Sequence, residues 1–217
     1  MKKTILLLVA VAFGFTSFAQ KPSEGNLLTE ANFSLNEWNN EFSLPNLRFR
    51  YFLADDLALR VDLAPRGQSA ENNFTDGTNT GTQETSTSSF TMRVGAEKHF
   101  GGNDKFSPFA AAQLQFGSNS STETWTDFDG TAYSSGFNAE VENGGSNFGI
   151  ALGLGADYWI TKSFYMGTEF GWGWLSNTVD EGTATINGTT STTPESSTSG
   201  YGDFMFNTGF RVGFTLK

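Results

Sequence analysis

Residues 147–160 read NFGIALGLGADYWI. Phe148, Ile150, Leu152, Leu154, Ala156, Tyr158 and Ile160 hold the even positions and are all apolar. Asn147, Gly149, Ala151, Gly153, Gly155, Asp157 and Trp159 hold the odd positions and are mostly small or polar. Successive side chains of a strand point to opposite faces, so this period predicts one long strand with an oily face and a lean one. What the chain can fold into depends on the solvent each face meets.

The alternation recurs at about 25–35, 44–53, 57–65, 88–99, 107–117, 164–174 and 202–216, which with 146–160 makes eight predicted strands. The connections are of two kinds. "ADD" (54–56), "GGNDKFS" (101–107) and "TKS" (161–163) are tight, whereas 66–87, 118–145 and 175–201 are long and poor in large apolar residues. "NEWNNEFS" (36–43) is shorter but falls on the long side. Tight turns at one end and long connections at the other are the pattern of a transmembrane barrel.

The charges locate the faces. Leu47, Phe49, Tyr51 and Leu53 oppose Arg48 and Arg50, and Leu57, Leu59, Val61 and Leu63 oppose Arg60 and Asp62. Phe90, Met92, Val94 and Ala96 oppose Arg93 and Glu97; Phe164, Met166, Phe170 and Trp172 oppose Glu169. Val212 and Phe214 oppose Arg211, and Leu27 and Ala31 oppose Glu30. Only Lys98 breaks the segregation, at a strand end where a lysine can snorkel to the interface. Lys or Arg facing lipid at mid-bilayer costs about 2–4 kcal/mol, so the oily faces are expected outward and the charged ones inward. Ring closure would pair every edge N–H and C=O, as hydrocarbon requires. The expected fold class is therefore all-β, an eight-stranded antiparallel up-and-down transmembrane barrel. Tyr51, Phe52, Phe100, Phe109, Tyr158 and Phe164 are expected as an aromatic girdle at the short-turn side. Phe90, Phe116, Phe148, Trp172, Trp174 and Phe204 are expected at the opposite interface.

Composition agrees with this class: 17% charged and 15% aromatic residues, with 22 Phe and 25 Gly, suit an all-β chain. There is no cysteine, hence no disulfide or thiolate metal site. The start, MKKTILLLVAVAFGFTSFAQ, has two lysines, an apolar run from Ile5 to Phe15, and Ser17 and Ala19 at the small positions of a cleavage site. It is expected to be a signal peptide over 1–19, leaving a short segment 20–24 and a barrel domain over 25–217. Without Lys2 and Lys3, 11 basic residues face 23 acidic ones, which argues against nucleic acid as a partner.

The chain resembles the small eight-stranded outer-membrane barrels typified by outer membrane protein A and outer membrane protein X. The likeness is one of architecture across nearly all of the mature chain. The closing stretch NTGFRVGFTLK resembles the family's insertion signal, with Asn207, Gly209, Val212 and Phe214 at the family's spacing, although the chain continues to Leu216 and Lys217. The resemblance implies an exported outer-membrane protein, and the peptidoglycan-binding domain that follows the barrel in outer membrane protein A is expected to be absent. Its partners would be membrane lipid, lipopolysaccharide and the barrel-insertion machinery. No cofactor is expected, and the protein is expected to be a monomer.

Four features bear on chemistry. The inward charges Glu30, Arg48, Arg50, Arg60, Asp62, Arg93, Glu97, Asp157, Glu169 and Arg211 are five arginines against five carboxylates. Eight strands leave an interior that side chains just fill, so a paired plug is expected in preference to a water column. His99, the single histidine, lies beside a short turn with no ordered Ser–His–carboxylate set expected around it, which disfavours a lipid-modifying enzyme. Asp127 and Asp129 in TDFDGT form a fragment of a calcium loop, but Asn138 stands where a bidentate glutamate is needed. The pair is therefore expected to form a turn between hairpin strands, with a weak divalent-ion loop as the alternative. The long-side connections hold thirteen acidic residues and one basic one, Arg66, in Thr/Ser-rich stretches that can be mobile or can extend the hairpins as strands. The functional expectation is a non-enzymatic barrel acting in envelope structure or in surface contact and adhesion with an extracellular ligand of unknown identity. A narrow gated ion channel through the charged lumen is the alternative.

Overall fold

A computed structural model of the 217-residue chain describes residues 21–34, 46–201 and 205–216. The expected export segment, the connection 36–43 and Phe204 lie outside the described residues. β1 (Leu27–Ser34) pairs with β2 (Asn46–Ala54). Each later strand then pairs with the one before it, through β3 (Leu57–Thr75), β4 (Thr80–His99), β5 (Phe106–Phe128), β6 (Tyr133–Trp159) and β7 (Phe164–Val179). After β8 (Gly182–Ile186), β9 (Thr189–Thr193) and β10 (Ser196–Tyr201) comes β11 (Met205–Thr215), which pairs with β7 on one side and β1 on the other. The ring is thus closed and antiparallel throughout, an eight-stranded up-and-down barrel with no helix among the described residues.

Strand length departs from the sequence expectation. The stretches 66–87, 118–145 and 175–201 are largely strand: β3 and β4 stay paired to Thr75↔Thr80, and β5 and β6 to Phe128↔Tyr133. Loss of large apolar residues marks where the strands leave the oily belt, because a Thr/Ser backbone pairs as well as any other. At the tips, the rings of Phe74 and Phe128 stack at 3.9 Å and couple the two hairpins. A Cβ on Gly81 would strike the Asp127 carbonyl and the Phe128 side chain, so this close approach requires glycine. The last expected strand, 202–216, corresponds to β11, and β10 arises from the expected connection 175–201. β10 pairs with 174–179 of β7 and β11 with 164–171, so both share the eighth wall position. The β8–β9 hairpin folds across to extend the sheet at 139–142 of β6.

The outer face is oily. Leu47, Leu59, Leu114, Ile150, Leu152 and Phe170 are exposed, and Leu154 reaches 64%. Two aromatics expected in the short-turn girdle face inward instead: Phe52 is 1% and Phe109 2% exposed. Phe52 shares the parity of Arg48 and Arg50, Phe109 that of Gln113 and Gln115, and each packs on the His99 ring. At the short-turn end the interior is closed by an apolar cluster of Leu28, Phe52, Ala58, Trp159 and Tyr165. Above it the lumen becomes polar.

Candidate functional site

The lumen wall receives its charges from adjacent strands in register. Glu30 faces Arg48 across β1–β2, Arg48 faces Asp62 across β2–β3, and Arg50 faces Arg60 on the same pair. Two neighbouring cations can be held only by carboxylates reaching in from elsewhere in the ring. Glu97 on β4 does this, 2.7 Å from Arg50 and 3.4 Å from Arg60. Glu169 on β7 does the same across the lumen, 2.7 Å from Arg48, 3.0 Å from Arg60 and 3.1 Å from Arg211.

The rest of the network interlocks. Arg48 grips Asp62 with Nε at 2.5 Å and a terminal nitrogen at 3.1 Å, and Gln113 donates to the same carboxylate at 3.0 Å. Arg50 pairs with Glu30 and, at 2.7 Å, with Asp157. Arg211 pairs with Asp157 at 2.6 Å and with Glu30 at 3.4 Å. The guanidinium of Arg50 lies over Tyr165 and that of Arg211 over Phe109, so the apolar layer also braces the charges. Four arginines therefore share five carboxylates, and each of the nine meets at least two opposite charges. Such burial is tolerable only because both partners of each pair are present.

Glycine makes the space. A Cβ on Gly153 would fall 2.8 Å from a Glu169 oxygen, and one on Gly167 would fall 2.5 Å from Asp157 and 3.0 Å from Arg211. Within the opening stretch, Gly153 thus gives its volume to Glu169 and Gly155 gives its volume to the Phe109 ring. A β-bulge sits at the same level: Thr208 and Gly209 of β11 both oppose Glu169.

The tenth inward charge stands apart. Arg93 faces Asp62 in register, yet the oxygens of Asp62 serve Arg48 and Gln113. Arg93 instead donates from Nε to Gln115 at 2.7 Å, and Gln115 donates onward to Asn147 at 3.0 Å.

Around His99 the sequence expectation is corrected. Its Nδ1 lies 2.8 Å from Ser107 Oγ and its Nε2 3.0 Å from Glu97, so a Ser–His–carboxylate set does assemble. Ser107 is eight residues away in sequence, brought beside His99 by the β4–β5 turn. The set is enclosed: Ser107 is 2% exposed, and the imidazole is flanked by Phe52 and Phe109. Glu97 is committed to two arginines as well. A hydroxyl so enclosed meets no ester carbonyl, and the set joins the charged layer to the apolar one beneath it.

Asp127 and Asp129 lie at a hairpin tip, where they cap backbone amides. Asp127 accepts from Gly136 N–H at 2.5 Å, and Asp129 from Thr131 and Ala132 at 2.9 and 3.0 Å. The Ala132 and Thr131 amides hold the Asp129 carboxyl below its ordinary range, as those of Asn79 and Thr78 do for Asp76 at the other tip. Among the described residues no group of three His, Asp or Glu is placed to hold a metal ion. Val212 and Phe214 sit on β11, paired with Met166 and Phe164; Asn207 and Gly209 belong to the same strand.

No protein-family model matches the sequence, and no curated protein matches it. Among solved structures the chain is similar to Ail, the attachment invasion locus protein of Yersinia pestis. That match has a TM-score of 0.38 and 11% identity, over 89% of this chain and 99% of that one. CarO of Acinetobacter baumannii gives a TM-score of 0.32 at 10% identity, over 90% of this chain and 98% of that one. CarO2 of the same organism gives 0.32 and 10%, over 88% and 97%.

Proposed function

We propose that the protein is a non-enzymatic outer-membrane barrel whose role is surface contact through its protruding hairpins. The observation that carries this reading is a closed lumen joined to strands far longer than a membrane needs. A tilted strand crosses with about 9–11 residues, whereas β5 has 23 and β6 has 27. The excess projects as ordered sheet bearing Glu71, Glu84, Glu123, Glu140 and Glu142 among Ser, Thr and Asn. The exposed oily belt supports membrane insertion, since monomeric soluble proteins rarely expose apolar patches above a few hundred Å². A negative, hydroxyl-rich surface favours basic partners and disfavours anionic ones.

Replacing 67–87 and 119–144 by tight turns tests the reading. The barrel should still form, seen as heat-modifiable migration on gels, while adherence of cells displaying the protein to an immobilised basic protein should be lost. Unchanged adherence would reject the proposal. A gated channel is the second reading, favoured by the void above the plug beside Arg93, Gln113, Gly153 and Glu169. Steady ion-selective current in planar bilayers, altered by Glu169→Ala, would establish it in place of a plug; the interlocked network supports the absence of such current.

A further inference from the structure

The upper lumen is built differently from the plug below it, and we propose that it is a binding site for one small oxyanion, a carboxylate or a tetrahedral anion, held between Arg93 and Arg66. Arg93 stands outside the interlocked set of four arginines and five carboxylates. Gln115 holds its guanidinium by Nε and is itself held by Asn147, so the fork is oriented without being neutralised. Among the described residues no carboxylate lies within ion-pair distance of Arg93 or of Arg66.

Both arginines line one cavity of about 230 Å³, together with Asn46, Thr91, Ala64 and Gln115. Asp62 forms part of its floor, but its oxygens already accept from Arg48 and Gln113. The charges of this cavity that lack an ion-pair partner are therefore cationic, the half-buried Arg93 fork and the exposed Arg66 fork. The Asn46 amide and Thr91 hydroxyl beside them can also donate. A cation is repelled there, and a neutral ligand leaves the half-buried Arg93 charge without a counter-charge. A two-oxygen face matches the planar fork, and charge-assisted bonds of this kind are about twice as strong as neutral ones. Arg66 also borders a second cavity of about 360 Å³ among Ser88, Ser89, Asn119 and Ser120, which leads toward the hairpins. The acidic hairpins oppose polyanions more strongly than monoanions, which restricts the ligand to a small species.

Calorimetric titration of the folded full-length barrel in zwitterionic detergent, with sodium acetate and separately with sodium sulfate at constant ionic strength, decides the matter. Saturable one-to-one binding of at least one anion is expected, weakened by about tenfold or more in Arg93→Gln and several-fold in Arg66→Gln. Absence of saturable heat with both anions overturns the proposal, as does equal affinity in wild type and Arg93→Gln. If Arg93→Gln fails to fold by gel migration, Arg66→Gln decides: reduced affinity supports the site, and unchanged affinity overturns it. Because both variants leave the hairpin acids in place, the outcome is independent of the adherence experiment.

Discussion

Arg50 has no exposed surface, touches Glu30, Glu97 and Asp157, and rests on the Tyr165 ring. Removing its charge takes one arginine from each of three buried carboxylates, leaving Glu97 and Asp157 with one arginine partner apiece. Arg50→Met is therefore expected to destabilise the folded barrel by about 3–5 kcal/mol, the range for breaking a buried ion pair, read by urea unfolding in lipid vesicles. Adding Glu97→Gln should return part of the loss, and additive losses would show that the two side chains are not coupled. The sequence allowed the inward placement of Arg50 to be read, because a two-residue period assigns every residue to a face. It could not reveal partners: Glu169 meets Arg48 across the lumen, 121 residues away, and no local spacing encodes that distance. Phe52 and Phe109 were misread because an aromatic ring satisfies an interface and an interior equally well, and only their parity distinguished the two. Ser107 escaped notice because the turn that brings it to His99 is a matter of hairpin register.

The hairpins were the least legible elements. Thr- and Ser-rich sequence is compatible with both coil and solvated strand, and the choice is made by neighbours: β4 lies between β3 and β5 over nearly its whole length, so its backbone groups are satisfied on both sides. Order at the tips then depends on a few contacts. Gly81→Val should force apart the Phe74–Phe128 stack and lower amide protection at 74–82 and 126–133 by roughly tenfold, leaving β5–β6 pairing at 107–117 unchanged in hydrogen exchange. Equal protection in the variant would show that the stack does not hold the tips. Acid acts in the same direction. The carboxyls of Asp76 and Asp129 are lowered by their amide partners, so the turns gain from them above the ordinary carboxylate range and lose that support as pH falls through the lowered value.

For the molecule as a whole, the decisive contrast is between an oily exterior and an ionised interior. Two tryptophans report it directly: Trp172 is 39% exposed on the outer wall, and Trp159 is 1% exposed within. In single-tryptophan variants reconstituted into brominated lipid, Trp172 fluorescence should be strongly quenched and Trp159 fluorescence spared. Equal quenching would mean that the wall does not separate lipid from lumen. The eightfold ring and its facing were readable from periodicity and from the sorting of short and long connections, since a strand sends alternate side chains to opposite faces and an up-and-down ring puts alternate connections at opposite ends. The division of the eighth position between β10 and β11 was not, because it depends on the β8–β9 hairpin crossing to β6.

Ring closure joins the first strand to the last: Leu28 stands opposite Thr215, and the Leu216 amide donates to the Leu27 carbonyl at 2.7 Å. A tether of a few residues could bridge 216 to 26. The chain could then be cut at a hairpin tip such as 129–132 and restarted there with every wall contact kept, and a cargo joined at 26 or at 216 would emerge from the same rim.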